Sequence, residues 1–177
     1  FRRVLFRSFT LTDSNKPVHH EDGMFGNIKQ ILKSPVVLIA FTIGMSITTE
    51  NEMVNVSFAI WMEDSFKVQI AALSSASLFI GLSELTGEGF VALFVDRVGK
   101  VRAAGTGLVA NCLAALLLPV IGRTQTGALI GLFLFYLTFE FTIVSIIPLM
   151  TEIMPSARAT TLSFAGAAHS IGRAAGA

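Results

Sequence analysis

Apolar residues fill five long segments of the chain, and polar residues gather in the short stretches between them. Several segments reach the roughly 20 residues that a helix needs to cross the hydrocarbon core of a bilayer. Membrane strands alternate apolar and polar positions over about 10 residues, whereas here whole windows are apolar. The pattern predicts an all-α integral membrane protein with spans over residues 35–62, 68–95, 101–121, 126–150 and 157–177.

The composition agrees with a membrane location. Of the 177 residues, 53% are hydrophobic and only 14% are charged, and Phe occurs fifteen times. A soluble domain of this size rarely has such a composition. The only Cys, Cys112, lies in an apolar span and excludes a disulfide within the chain.

Residues 1–33 precede the first span and differ from the rest of the chain. The opening "FRRVLFRS" (residues 1–8) resembles a translated sequencing adapter, which would make it foreign to the protein; a basic juxtamembrane segment is the alternative. Residues 9–33 form a polar linker that ends in a predicted short amphipathic helix, with Phe25, Ile28, Ile31 and Leu32 at helical spacing. Residues 34–177 form the predicted membrane bundle. The pair His19–His20 and its acidic neighbours lack a further ligand at suitable spacing, so neither a metal nor another cofactor is expected.

Lys and Arg are distributed unevenly among the loops, and cytoplasmic loops carry an excess of both. One side holds Lys16, Lys29, Lys33, Arg97, Lys100, Arg102 and Arg158, and the other holds only Lys67 and Arg123. The loop between the second and third spans is therefore predicted to be cytoplasmic.

Two motifs carry a resemblance to a known family. "ALFVDRVGKVR" resembles the signature loop of the major facilitator superfamily through Asp96, Arg97, Gly99, Lys100 and Arg102, although Ala92 replaces the first Gly and Val101 interrupts the basic run. "EIMPSARATTLSFAGAAHSIGRAAG" resembles the junction of the tenth and eleventh helices in its drug and sugar efflux members, through Glu152, Pro155, Arg158 and Gly172–Arg173. The resemblance implies that the spans are helices seven to ten and most of eleven, and that the N-terminal half of the same chain is missing.

The signature loop suggests a gating function. Under the resemblance, Asp96 would be held by backbone N–H groups and the helix dipole near the N-terminus of a helix in the missing N-terminal half, and Arg97 would pair with Glu152. Such a cluster, which includes Arg158, would form in one state of a rocking transporter and break in the other. The alternative is that the loop only anchors the topology.

Five acidic residues lie inside the predicted spans, where a charge at the centre of the bilayer costs about 2.5–3.5 kcal/mol on insertion scales. They are Glu50, Glu52, Glu84, Glu88 and Glu140. At about 100° per residue, a first polar stripe comprises Ser74, Ser77, Gly81, Glu84 and Glu88, and a second comprises Thr48, Asn51, Glu52 and Asn55. Glu50 points away from Glu52. Tyr136 shares a face with Glu140, and His169 shares one with Arg173.

These polar residues form the predicted proton and substrate pathway. A buried carboxyl group binds a proton more readily than an exposed one, and transporter sites form near the midplane, which favours Glu140 and Glu52. The alternative is structural: Glu84, Glu88, His169 and Arg173 would satisfy one another between helices. The predicted pathway comprises Glu50, Glu52, Asn55, Glu84, Glu88, Tyr136, Glu140, His169 and Arg173.

The prediction is a secondary active transporter that exports a small amphipathic compound or sugar in exchange for protons, in the plasma (inner) membrane of a prokaryote. Uptake by proton symport or facilitated diffusion, and a membrane sensor that does not transport, are the alternatives. An enzyme is not expected, because no H-E-x-x-H or G-x-S-x-G motif occurs. The expected partners are membrane lipid, a small-molecule substrate and protons, and no nucleic acid.

Overall fold

The computed structural model describes the backbone of residues 24–68 and 70–177 and the side chains of residues 25–68 and 77–177. Within these residues the fold contains six α-helices and no β-strand. They are α1 (Met24–Lys33), α2 (Pro35–Phe66), α3 (Ile70–Val98), α4 (Lys100–Ile121), α5 (Gln125–Ile153) and α6 (Arg158–Gly176), with one 3₁₀ turn at Pro155–Ala157. The predicted all-α fold is confirmed.

Three of the helices in the described part of the chain are long and apolar enough to cross a membrane, namely α4, α5 and the Ser77–Val98 part of α3. A fourth span results if α1 and α2 are taken together as one bent helix pair. Helix α6 has 19 residues and carries His169 and Arg173, and it is not apolar enough to be counted with them. These helices make the chain an integral membrane protein.

Helices α1 and α2 meet at an angle of 83°. Pro35 is the first residue of α2, and a proline disfavours the helical conformation in the residue before it. Ser34 accordingly has an extended backbone, with φ −90° and ψ 107°. Ile31 of α1 is fully buried against Val37 and Met154, whereas Phe25 is 81% exposed. Residues 1–23, with the adapter-like segment, the rest of the linker and His19–His20, lie outside the described residues.

Single residues set the tight turns between the helices. Gly99 alone separates α3 from α4, and its φ of 91° is a conformation that glycine adopts without strain. Lys67 ends α2 in a left-handed conformation, and its N–H donates to the carbonyl of Glu63 over 2.9 Å. Thr124 caps α5 by accepting a hydrogen bond from the N–H of Gly127. We call the end of the bundle with Arg97, Lys100, Arg102 and Arg158 the basic end.

Helix α5 is the centre of the bundle and contacts α2, α3, α4 and α6. Its most extensive contacts are with α3 and α4, while α2 pairs most extensively with α6. One cluster of buried side chains joins Phe58 and Met62 of α2 to Leu132, Phe135 and Tyr136 of α5. Ile47, which lies earlier in α2, belongs to a second cluster with Phe139 and Ile146, which lie later in α5. Helices α2 and α5 are therefore antiparallel.

Glycines allow the helices to approach closely, as small residues do in membrane bundles. A side chain on Gly172 of α6 would collide with the Thr48 hydroxyl and the Met45 carbonyl of α2. At Gly87 of α3, a Cβ atom would lie 2.9 Å from the Cβ of Glu140 and from the carbonyl oxygen of Leu137, both on α5. The candidate site is thus held by two helix pairs, α2 with α6 and α3 with α5, and within each pair the two helices are in near-backbone contact.

Candidate functional site in the core of the bundle

Tyr136 and Asn55 connect α5 to α2 in the middle of the bundle. The Tyr136 side chain is 1% exposed, and its hydroxyl donates a 2.7 Å hydrogen bond to Oδ1 of Asn55. A buried tyrosine hydroxyl needs such a partner because leaving it unpaired is costly. The ring of Phe135 contacts the Tyr136 ring edge-on at 5.4 Å between centroids, which holds the phenol in place. The hydrogen bond fixes the register of α2 against α5.

Glu140 lies one turn from Tyr136, close to the midpoint of α5, and faces α3. It is half-buried, and Gly87 provides the space for its side chain between the two helices. Glu84 and Glu88 of α3 lie within electrostatic range of Glu140. We call Glu84, Glu88 and Glu140 the acid cluster.

An open pocket of about 460 Å³ lies on the face of α3 that carries Glu84 and Glu88, and Glu140 is not among its lining residues. Ser77, Gly81, Glu84 and Glu88 line it, so four members of the first predicted stripe share one surface. The side chain of Ser74, the fifth member, is outside the described residues. Two carboxylates and a hydroxyl are therefore accessible on this face of α3.

Glu52 of α2 and Arg173 of α6 form an ion pair. Nε of Arg173 lies 3.1 Å from Oε2 of Glu52, and the exposed fractions of the two side chains are 67% and 16%. The sequence left open which acid the basic residues of α6 would meet, and the structure selects Glu52. His169 instead lies against Gly44 of α2. The alternative in which Arg173 satisfies Glu84 or Glu88 is therefore not the arrangement in this structure.

Glu50 lies on the opposite surface of α2 from Glu52, as the helical phase indicates. It lines a cavity of about 550 Å³ between α2, α4 and α5. Ser46, Ser57 and Trp61 of α2 line the same cavity, with Leu118 of α4 and Leu132 of α5. The structure does not bring Glu50 together with the acid cluster.

The basic end differs in detail from the prediction. Glu152 on α5 pairs with Lys100, and the expected pairing with Arg97 is wrong. Helix α3 continues to Val98, so Arg97 lies on its last turn, whereas the turn at Gly99 brings Lys100 to the start of α4 beside the end of α5. Asp96 is exposed on the last turns of α3, and its contact with a helix N-terminus of the N-terminal half stays a prediction. Arg102 and Arg158 are exposed in the first turns of α4 and α6.

Two asparagines were not among the predicted site residues. Asn111 of α4 is fully buried, and its Nδ2 donates to the Phe135 carbonyl over 3.2 Å and to the Thr138 hydroxyl over 3.3 Å. The Oδ1 atoms of Asn111 and Asn51 are buried and accept no hydrogen bond within the described residues. An amide inside an apolar run was the available signal at Asn111, and the polar stripe of α2 was the signal at Asn51. Among the described residues, no group of three or more His, Cys, Asp or Glu is placed to hold a metal ion.

Carboxylates close to mid-helix, such as Glu52 and Glu140, are typical of transporter cores. The family profile of the Major Facilitator Superfamily matches residues 4–177. The chain belongs to the major facilitator superfamily. No curated protein and no solved structure matches the chain. Membership of the superfamily makes the protein a secondary transporter, and the superfamily is one of transporters, not of enzymes.

For a member of the major facilitator superfamily, the positions of the acids along the helices are informative. Glu140 and Glu52 are both close to the midpoints of their helices, Gln125–Ile153 and Pro35–Phe66. The Lys100–Glu152 pair lies at the basic end, far along α5 from Glu140. The superfamily member thus has one set of polar side chains at mid-helix and a second set at the basic end.

Proposed function

We propose that the protein couples export of a small amphipathic compound or sugar to the movement of protons, and that the acid cluster binds the protons. The observation that carries this proposal is the position of Glu140, half-buried at mid-helix and within electrostatic range of Glu84 and Glu88. Three carboxylates so placed repel one another when all are ionised, and a bound proton relieves that repulsion. The cluster can therefore load and release a proton during transport.

The acid cluster is linked to a second helix pair. Tyr136 lies one turn from Glu140 and is hydrogen-bonded to Asn55 of α2, and α2 is joined to α6 by Glu52 and Arg173. A change of charge at Glu140 therefore acts close to the contact between the two helix pairs. In alternating access, such a local change biases a rigid-body movement of helices.

The charges of the site favour a cationic or neutral substrate over an anion. Glu52, Glu84, Glu88 and Glu140 outnumber Arg173 and His169 in this region. We propose that the substrate binds between this bundle and a second helical half of the same chain, in the plasma membrane of a prokaryote. The basic end would then face the cytoplasm, and the Lys100–Glu152 pair would form and break as the transporter changes state.

The proposal is tested with the intact protein in proteoliposomes under an imposed pH gradient. Transport of a cationic dye and of a radiolabelled sugar is compared between wild type, Glu140→Gln and Glu50→Gln. We expect Glu140→Gln to abolish proton-driven transport while the protein still inserts, because the amide cannot carry a proton. Glu50→Gln is the matched control, since the same change is made at a carboxyl group that lines a different cavity and is separate from the acid cluster.

The possible results separate the alternatives. Transport down a substrate gradient without proton dependence would favour a facilitator, and accumulation along the proton gradient would favour a symporter. No flux of either probe in wild type would favour a sensor. Proton-coupled export by Glu140→Gln at the wild-type rate would refute the assignment of Glu140.

A further inference from the structure

Asn51 of α2 has a buried acceptor without a donor. Its Oδ1 atom is buried and accepts no hydrogen bond from the residues that the structure describes. Buried polar groups are nearly always paired, and an exception calls for a partner. Four residues before Asn55, Asn51 lies about 40° away around the helix, on the side that packs against α5.

The hydrogen bond between Asn55 and Tyr136 shows which residue of α5 lies level with Asn51. Because α2 and α5 are antiparallel, a step of one turn from Asn55 to Asn51 corresponds to a step from Tyr136 to Glu140. Both steps run toward the basic end, and each shifts the position by the same length. The pair of Asn51 and Glu140 therefore repeats the pair of Asn55 and Tyr136 one turn closer to that end.

Glu140 can donate to Asn51 as Tyr136 donates to Asn55 only when the carboxyl group of Glu140 is protonated. The Tyr136 hydroxyl donates to the amide oxygen of Asn55 over 2.7 Å. A protonated carboxyl group also has an O–H donor, whereas a carboxylate only accepts. An amide oxygen opposite Glu140 therefore finds a donor when Glu140 carries a proton.

We propose that Asn51 is a positioning residue that accepts a hydrogen bond from the protonated carboxyl group of Glu140 and favours the proton-loaded transporter. This inference rests on the proposed function. It adds a residue on α2 to a proton site formed by α3 and α5. The proton on Glu140 is then held between the two helix pairs, and its release removes one contact between them.

The charged and titratable groups around Glu140 do not replace Asn51. Glu84 and Glu88 face it from α3, and Glu52 of α2 is paired with Arg173 of α6. Tyr136 on the same helix already donates to Asn55. The carboxylates favour protonation by repulsion from any direction, whereas Asn51 provides a directional acceptor for the proton once it is bound.

The test is an infrared titration of the intact protein in lipid vesicles, in which the carbonyl stretch of protonated Glu140 is identified by its loss in Glu140→Gln. In wild type we expect this band at the frequency of a hydrogen-bonded acid. In Asn51→Leu, which has the same number of side-chain heavy atoms and no acceptor, we expect the band at higher frequency. We also expect its pH midpoint to fall by about one unit, or about tenfold in proton affinity.

Two variants complete the test. Asn51→Gln retains an amide oxygen and should restore part of the shift in both frequency and midpoint. Asn111→Leu removes the other buried amide oxygen without a donor, which faces α5 from α4, and should change neither. If Asn51→Leu fails to insert, the band of the wild-type protein still tests the inference.

The outcomes that overturn the inference are specific. A wild-type band at the frequency of a free acid, or an unchanged band in Asn51→Leu, shows that Asn51 does not accept this bond. A midpoint that rises in Asn51→Leu shows that Asn51 instead donates to the carboxylate. The titration requires no transport, so proton-driven transport by Glu140→Gln would refute the proposed function separately, whichever way the band moves.

Discussion

Nε of Arg173 donates a 3.1 Å hydrogen bond to Oε2 of Glu52, and the two residues are 121 positions apart in the chain. The bond joins α6 to α2 next to Gly172, where the two helices are in near-backbone contact. The two partners are unequally placed, since Glu52 is 16% exposed and Arg173 is 67% exposed. The carboxylate therefore depends on the guanidinium more than the guanidinium depends on the carboxylate.

That inequality predicts different costs for the two single substitutions. Arg173→Gln leaves a mostly buried carboxylate without its cation and should lower the free energy of unfolding by about 1–3 kcal/mol. Glu52→Gln leaves an exposed guanidinium that finds other partners and should cost less than about 1 kcal/mol. The measurement is reversible unfolding by SDS in mixed micelles, with Arg123→Gln, an exposed charge after α4, as the control. Equal costs for the two changes, or additivity in the double variant, would argue against the pair.

The close contact between α2 and α6 predicts that Gly172 tolerates no side chain. Gly172→Ala would drive a methyl group into the Thr48 hydroxyl and the Met45 carbonyl and should cost about 1–3 kcal/mol. Gly166→Ala on the same helix meets no atom within 4 Å and should be neutral or slightly stabilising. The two variants are compared in the same SDS titration. A stable Gly172→Ala protein would mean that the helices are further apart than described.

The hydrogen bond between Tyr136 and Asn55 predicts another asymmetry. Tyr136→Phe should cost about 1 kcal/mol, because the exposed Asn55 side chain can find another partner. Asn55→Leu should cost about 1–3 kcal/mol because it leaves the buried tyrosine hydroxyl unpaired. The double variant should resemble Tyr136→Phe, as measured in the same unfolding titration. A double variant whose cost is the sum of the two single costs would contradict a direct bond.

The ion pair at the basic end predicts that charge reversal can be compensated. Lys100→Glu places two carboxylates side by side and should destabilise the protein by about 1 kcal/mol, and adding Glu152→Lys should regain most of that loss. Arg97→Glu is the matched control on the last turn of α3 and should not be rescued by Glu152→Lys. The measurement is a thermal melt of the detergent-solubilised protein. Rescue of Arg97→Glu instead of Lys100→Glu would restore the pairing predicted from the sequence.

The course of the helices could be predicted from the sequence because a helix in lipid requires an uninterrupted apolar run. Predicted and observed ends differ by a few residues, and the difference matters at one place. The sequence pattern predicts the second span at residues 68–95, whereas α3 ends at Val98. Asp96 and Arg97 therefore lie on a helix, and the residue that reaches Glu152 is Lys100, just beyond the turn at Gly99.

The opposite directions of Glu50 and Glu52 could also be predicted, because the helical phase alone determines them. The partner of Arg173 could not, since Glu52 meets it only through the packing of α6 on α2. The same is true of Glu140, whose place beside Glu84 and Glu88 depends on the space left by Gly87. Such contacts are decided by which faces of distant helices meet, and periodicity within one helix does not contain that information.

The central position of α5 has a consequence for biogenesis. Helices α2, α3 and α4 precede it in the chain and, in the described residues, contact one another only slightly, whereas all three pack against α5. During synthesis they therefore enter the bilayer before the surface on which they assemble exists. Glu50 and Glu52 therefore remain in lipid or in the insertion machinery until α5 and then α6 have been inserted. We expect membrane proteases to degrade most strongly the chains that stop before residue 125, because those chains lack α5.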